Sequence, residues 1–256
     1  MIEIKNLTKS FNGETILKGL TAQFEEGKTN MIIGQSGSGK SVLLKCMLGL
    51  FEPDEGQIIY GGERLSKLDE EHEMELREHM GMVFQHSALF DSMTVAENVG
   101  FPLRMYTKMN RSEREDRVHN MLKRVNLEGA EKKLPSEISG GMQKRVAIAR
   151  AIVNDPTYLF CDEPNSGLDP KTAIVIDNLL HDITQEYNIT TVIISHDMNS
   201  VMEIGETIVF LKDGELKWKG SNKDIFKTEN EAVTDFVYSS NLFRMVRKTM
   251  NENDRS

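Results

Sequence analysis

The sequence predicts an α/β fold: a parallel sheet covered by helices on both faces, with a helical subdomain inserted. Three observations carry that prediction. Short continuous apolar runs recur at residues 29–33, 158–161 and 191–195, and strands without alternation belong to parallel sheets buried on both sides. Helical patterns at 39–50 and 171–186 separate them, giving the strand–helix alternation of an α/β domain. Between about 86 and 154 strand signals fade and helical ones take over.

Taken in order, Ile2, Ile4 and Leu7 suggest a first strand, residues 15–20 a second, and 29–33 a third ending at Gly34. In the helical stretch Val118, Met121, Leu122 and Val125 fall on one face, and Ser112 and Glu115 have the spacing of a capping box. Eight of the fifteen methionines lie between Met74 and Met142, which favours core filling over an adaptable binding surface. Asp213-Gly214, between 208–211 and 215–218, reads as a hairpin turn. Residues 251–256 are polar enough to fray.

At 256 residues, 39% hydrophobic and 28% charged, the chain fits one large α/β domain and excludes a disordered or fibrous class. Lys and Arg total 31 against 40 acidic residues, a net charge of -9, which disfavours nucleic acid or an anionic bilayer as the main partner. No apolar run approaches the roughly 18 residues of a membrane span; even 43–51 is broken by Lys45. The first seven residues alternate like a strand and carry no export signal. Two cysteines, Cys46 and Cys161, do not make a disulfide framework. They read as buried hydrophobes in a reducing interior.

Chemistry concentrates at three places. Gly34-Gln35-Ser36-Gly37-Ser38-Gly39-Lys40-Ser41 follows a strand and opens a helix, the context that a phosphate-binding GxxxxGK[ST] loop requires. Its glycines let backbone N–H groups wrap phosphate, Lys40 bridges the β and γ phosphates, and Ser41 offers an oxygen to Mg²⁺. Residues 158–163 deliver Asp162 and Glu163 to the C-terminal end of a strand, where ligands collect in open α/β sheets. Adjacent strand residues point to opposite sides, so Asp162 can hold Mg²⁺ while Glu163 polarises an attacking water. Third, Ser139-Gly140-Gly141 precedes another helix. By itself it is equally an anion-binding helix start or an ordinary N-cap.

With these motifs in this order, the chain resembles the ATP-binding subunits of ABC transporters from Ile2 to about Phe226. The resemblance implies a RecA-like P-loop core with an N-terminal antiparallel β subdomain, ATP and Mg²⁺ as ligands, and ATP hydrolysis. On this basis residues 1–230 form the ATP-binding domain, with the helical subdomain at about 86–154, and 231–256 form a C-terminal tail. Phe11 falls where the family stacks an aromatic ring on adenine. Residues 34–41 match Walker A, and Gln85 matches the Q-loop glutamine that contacts Mg²⁺ and water. Residues 138–142 match the signature, with Ile138 and Met142 departing from the usual leucine and glutamine but Ser139, Gly140 and Gly141 retained. Asp162 and Glu163 match Walker B and its catalytic glutamate, 166–169 the D-loop, and His196 the switch histidine. A head-to-tail dimer then follows, each ATP lying between one Walker A loop and the second copy's 139–141.

Within the family, Gly81-Met82-Val83-Phe84-Gln85, residues 88–95 and Glu97-Asn98-Val99 look like the Mla-type ATPases, and Lys144-Arg145 and Leu168-Asp169-Pro170 agree. This resemblance implies phospholipid transport, membrane-spanning permease subunits, an MCE-domain protein and an accessory subunit. The place is the cytoplasmic side of the inner membrane, reached through partners. Another ABC importer or exporter, a soluble ABC protein acting on ribosomes or DNA, and a nucleotide sensor without turnover remain the rival readings. In the tail, Phe243, Val246 and Met250 fall near one helical face beside Arg244, Arg247 and Lys248. That pattern suits a segment gripping a neighbouring subunit, accessory protein or membrane, and equally an ordinary terminal helix.

Overall fold

The computed structural model describes residues 1–238. The tail pattern at 243–250 lies outside them. The first half of the chain runs β1 (Ile2–Phe11), β2 (Glu14–Phe24), β3 (Thr29–Ile33), α1 (Lys40–Met47), β4 (Glu55–Tyr60), β5 (Glu63–Arg64), α2 (Glu70–Glu78), β6 (Met80–Val83), α3 (Val95–Tyr106) and α4 (Arg111–Arg124). There follow α5 (Gly140–Ile152), β7 (Tyr158–Asp162), α6 (Pro170–Glu186), β8 (Thr190–Ile194), α7 (Met198–Ile204), β9 (Thr207–Lys212), β10 (Glu215–Gly220) and α8 (Glu231–Val237).

Two sheets form. The larger has the order β10-β9-β3-β8-β7-β6; β9, β3, β8, β7 and β6 are mutually parallel and β10 pairs antiparallel at the edge. The smaller is antiparallel, β2-β1-β4-β5. The expected α/β class with an N-terminal antiparallel unit is therefore the one observed. Alternate residues of each central strand serve different cores, which is why those strands read as unbroken apolar runs. On one face Ile32, Phe160, Val192, Ile194, Val209 and Leu211 pack against α1 and the small sheet. On the other, Met31, Ile33, Cys161, Ile193, Ile208 and Phe210 pack in one cluster with residues of α3–α7.

From 86 to 154 the structure is helix and turn. Val118, Met121 and Leu122 of α4 are buried, with Val125 just beyond it. The cap of α4 differs from the sequence expectation. Asn110 and Glu113 form the box, each side chain meeting the other's backbone N–H, so Ser112 and Glu115 lie inside the first turns. An Asn competes as well as a Ser for the N-cap, and here it stands two residues earlier. A second box, Thr94 with Glu97, starts α3. Asn98, fully buried, then ties the preceding loop down by accepting from the Phe90 N–H and donating to the carbonyls of Phe90, Met93 and Thr94. The expected hairpin joins β9 to β10, with Asp213 (φ 53°) and Gly214 (φ 80°) both left-handed. Cys46 and Cys161 are buried free thiols whose pKa values burial pushes up, so neither is a ready nucleophile.

Candidate functional site

Four parallel strands, β3, β6, β7 and β8, end beside one another, and their C-terminal extensions build a cleft of about 1000 Å³. Phe11, Gly34, Gln35, Ser36, Gly37, Gly39, Lys40, Ser41, Gln85, Asp162, Glu163 and His196 line it. The side is the one that parallel α/β sheets use for ligands.

The 34–39 loop takes its shape from close packing. A Cβ on Gly34 would stand 2.2 Å from the Leu211 carbonyl oxygen, and Gly39 turns the chain into α1 with φ 100°. Lys40 folds back, its ammonium donating to the carbonyls of Gly34 and Gln35 at 2.9 Å each. Burial pulls its pKa below the usual lysine range, and the nearby Glu163 and Asp162 oppose that shift. Ser38 Oγ is buried with no hydrogen-bond partner among the described residues. An unsatisfied hydroxyl in a glycine-rich loop at a helix start fits a polyanionic ligand arriving there.

Across the cleft, Asp162 ends β7, and burial followed by Glu163 pushes its pKa up while Lys40 and Lys45 pull it down. Glu163 has left the strand with φ 46°, a strained conformation for a side chain of this size. Its backbone N–H bonds the Ile194 carbonyl at 2.9 Å. Its carboxylate is held from both sides: Oε1 lies 2.8 Å from Nδ1 of His196, and Oε2 accepts from Nε2 of Gln85 at 3.0 Å. Gln85 is in turn fixed through its carbonyl oxygen, which accepts from the buried ammonium of Lys144 on α5. Phe11, at the end of β1, packs edge-on to Phe51 with centroids 5.1 Å apart.

Ser139, Gly140 and Gly141 are not brought into this cleft. Ser139 caps α5, its Oγ accepting from the Met142 N–H at 3.3 Å, and both Ser139 and Gly140 are exposed. Ile16, Val42 and Phe236 of the lining, and the supporting Lys144, are not among the sequence-predicted site residues. Phe236 of α8 lines the cleft after packing on Phe210, and no local pattern marks it, because its place depends on a long-range contact. Lys144 carries no distinct signal in the sequence, because it stands between Gln143 and Arg145 in α5 and its burial depends on tertiary packing.

The profile of the ABC transporter family matches residues 17–166. The chain is 38% identical over 236 residues to the probable ribonucleotide transport ATP-binding protein mkl of Mycobacterium leprae (strain TN), covering 92% of this chain and 68% of that protein. It is 35% identical over 237 residues to the intermembrane phospholipid transport system ATP-binding protein MlaF of Haemophilus influenzae (strain ATCC 51907 / DSM 11121 / KW20 / Rd), covering 93% of this chain and 90% of that one. Among solved structures, the dimeric post-hydrolysis state of the ATP-binding cassette MJ0796 bound to ADP and Pi superposes with a TM-score of 0.78 at 35% identity, over 87% of this chain and 99% of that one. Fold, cleft and relatives agree: the chain belongs to the ABC transporter family, as an ATP-binding subunit that hydrolyses ATP.

Proposed function

We propose that this subunit energises phospholipid transport, working as a head-to-tail dimer on membrane-spanning permease subunits at the cytoplasmic side of the inner membrane. The observation that carries the chemistry is the convergence of Lys40, Gln85, Asp162, Glu163 and His196 on one cleft. In this reading the loop from Gly34 to Ser41 wraps the phosphates of ATP with backbone N–H groups, and Lys40 leaves its loop carbonyls to meet the β and γ phosphates. Phe11 stacks on the base. Glu163 accepts the proton of the attacking water, and Gln85 and His196 hold its two carboxylate oxygens in register for that step. Ser41, Gln85 and Asp162 are a hard-oxygen set suited to Mg²⁺; when bound, Mg²⁺ supplies charge neutralisation at the phosphate oxygens. Ser139, Gly140 and Gly141 meet the γ-phosphate held by the second copy. The dimeric state of the MJ0796 cassette supports the pairing of two copies.

The lipid reading rests on the match of residues 81–99 to the Mla pattern and on the MlaF relative, which this chain covers almost end to end. Partners of this type are a permease, an MCE-domain protein and an accessory subunit. Among the described residues no helix is long and apolar enough to cross a membrane, which fits an ATPase attached through partners. Mkl, at 38% identity with a ribonucleotide-transport name, favours a second reading with the same ATPase and another cargo. Copurification from detergent-solubilised membranes separates the two. A permease together with an MCE-domain protein is expected; a permease that arrives with a soluble solute-binding protein and no MCE partner would defeat the lipid reading.

A further inference from the structure

Beneath the cleft lies a buried polar cluster that none of these roles uses. Asp177 of α6 is 4% exposed, Asn165 8% and Ser200 of α7 2%. Asn165 Nδ2 donates to Ser200 Oγ at 2.7 Å and approaches both carboxylate oxygens of Asp177 at 3.3 Å, and Ser200 Oγ donates to Asp177 Oδ2 at 2.7 Å. Among the described residues no cation pairs with this carboxylate. Its other neighbours are unhelpful to a negative charge. Burial pushes its pKa up to about 6, with Asp197 and Glu203 adding to the rise and the bonds from Ser200 and Asn165 opposing it, and the Cys161 thiol stands within its field.

An uncompensated buried carboxylate is costly, and apart from Thr184 the rest of this helix face is apolar, with Ala173, Ile176, Leu180 and Ile183 buried. A leucine would serve packing better. What the carboxylate does is join two separate segments. Asn165 is two residues beyond Glu163, in the turn where Ser166 N–H bonds the Glu163 carbonyl. Ser200 is four residues beyond His196, in the helix that Asp197 caps. The Glu163–His196 contact at the cleft floor thus has a second tie behind it, and a glutamate held at φ 46° needs its surroundings to keep it there.

We infer that Asp177 is a positioning residue for ATP hydrolysis, locking the Glu163 segment to the His196 segment through Asn165 and Ser200. The inference rests on the reading of Glu163 as the general base. A satisfied buried network of this kind specifies geometry beyond what apolar packing does. It also depends on protonation: the ionised carboxylate accepts from both partners, whereas the protonated acid, like an asparagine, brings a donor of its own into a cluster already supplied with donors.

The test compares wild type with Asp177→Asn, Asn165→Ala and Ser200→Ala in the full chain, measuring kcat and KM for ATP from pH 5 to 8 and amide hydrogen exchange. At pH 8 each variant is expected to lose roughly tenfold in kcat with KM within about twofold. The ratio of Asp177→Asn to wild-type kcat should climb toward one as pH falls through about 6, because only wild type has a charge at 177 to lose. Exchange over residues 163–169 and 196–204 should quicken by roughly tenfold in all three while the strands stay protected. A pH-independent ratio, wild-type kcat with only a lowered melting point, or unchanged exchange in the two segments overturns the inference. Glu163→Gln separates this from the base assignment. If that variant still turns over while the two segments loosen in Asp177→Asn, the base assignment fails and the tie stands; if it is inactive and the segments stay tight, the reverse holds.

Discussion

At the start of α1, a glycine-rich loop meets Lys40, Gln85, Asp162, Glu163 and His196 in a single cleft, whereas at the start of α5 Ser139 and Gly140 stand exposed and outside the lining of that cleft. The α1 start has two glycines pinned by packing, Gly34 and Gly39, and one open to whatever arrives; the α5 start has one of each. Gly34 is pinned against the Leu211 carbonyl and Gly141 against Thr172, where an added Cβ would fall 2.7 Å from Cγ2; Gly37 has nothing within 4 Å, and Gly140 only a leucine methyl at 3.9 Å. The difference teaches that the first start is a finished binding site lacking a lid, and the second a lid lacking a site. The proposed head-to-tail dimer would bring the first half of one chain against the second half of another.

The largest expected effect strikes only the first region. Glu163→Gln keeps the size and hydrogen-bonding reach of the side chain but removes the proposed base, so turnover should fall by roughly 10²–10³-fold with ATP affinity close to wild type. Steady-state phosphate release and an equilibrium ATP titration measure the two quantities. Near-wild-type turnover would mean that the Gln85 and His196 contacts to Glu163 serve structure alone, and the contrast between a chemical half and a clamping half would lose its basis.

A smaller effect is expected from Gly140→Ala. The first turn of a helix accepts alanine, and among the described residues nothing obstructs the new methyl, so unfolding free energy should hold or rise by about 0.4–1 kcal/mol. Binding of ATP to the isolated chain, which uses the α1 loop, should stay within about twofold of wild type. Hydrolysis should nevertheless drop by roughly tenfold or more, because the methyl occupies the approach of the partner's phosphate and misplaces it. A variant that folds, binds and hydrolyses like wild type would leave the α5 start as no more than a capped helix.

How far the sequence carried these halves depends on whether the governing contacts are local. The α1 loop was legible because strand, glycines, Lys40 and Ser41 are consecutive, and backbone geometry forces that order. The parallel core was legible from the unbroken apolar runs, whereas β2 runs past residue 20 to Phe24, since its end is set by pairing with β1 across the sheet and not by a local breaker. The α4 cap was misassigned between two adequate polar residues two positions apart. Asp177 was invisible: one aspartate in an amphipathic helix pattern reads as solvent-facing until its neighbours, 12 and 23 residues away in sequence, are folded beneath it.

The smallest effect distinguishes the pinned glycine from the open one. Gly141→Ala drives a methyl toward Thr172 Cγ2 at 2.7 Å, and a β-branched side chain on a helix has little rotamer freedom to give way. Thr172 is further held because its N–H and hydroxyl both bond Asp169, the cap of α6, at 3.1 and 2.5 Å. The clash therefore has to be taken up by shifting α5 against α6, with a loss of about 1–2 kcal/mol after the gain from alanine's helix preference. Thr172→Ser removes Cγ2 and keeps the hydroxyl that reaches Asp169. The double variant Gly141→Ala with Thr172→Ser should accordingly recover most of that loss in a denaturant titration, while Gly140→Ala shows no such coupling to position 172. Equal penalties for Gly141→Ala in both backgrounds would show that the contact is not what demands glycine at 141, and that both glycines of the α5 start answer to the partner chain instead.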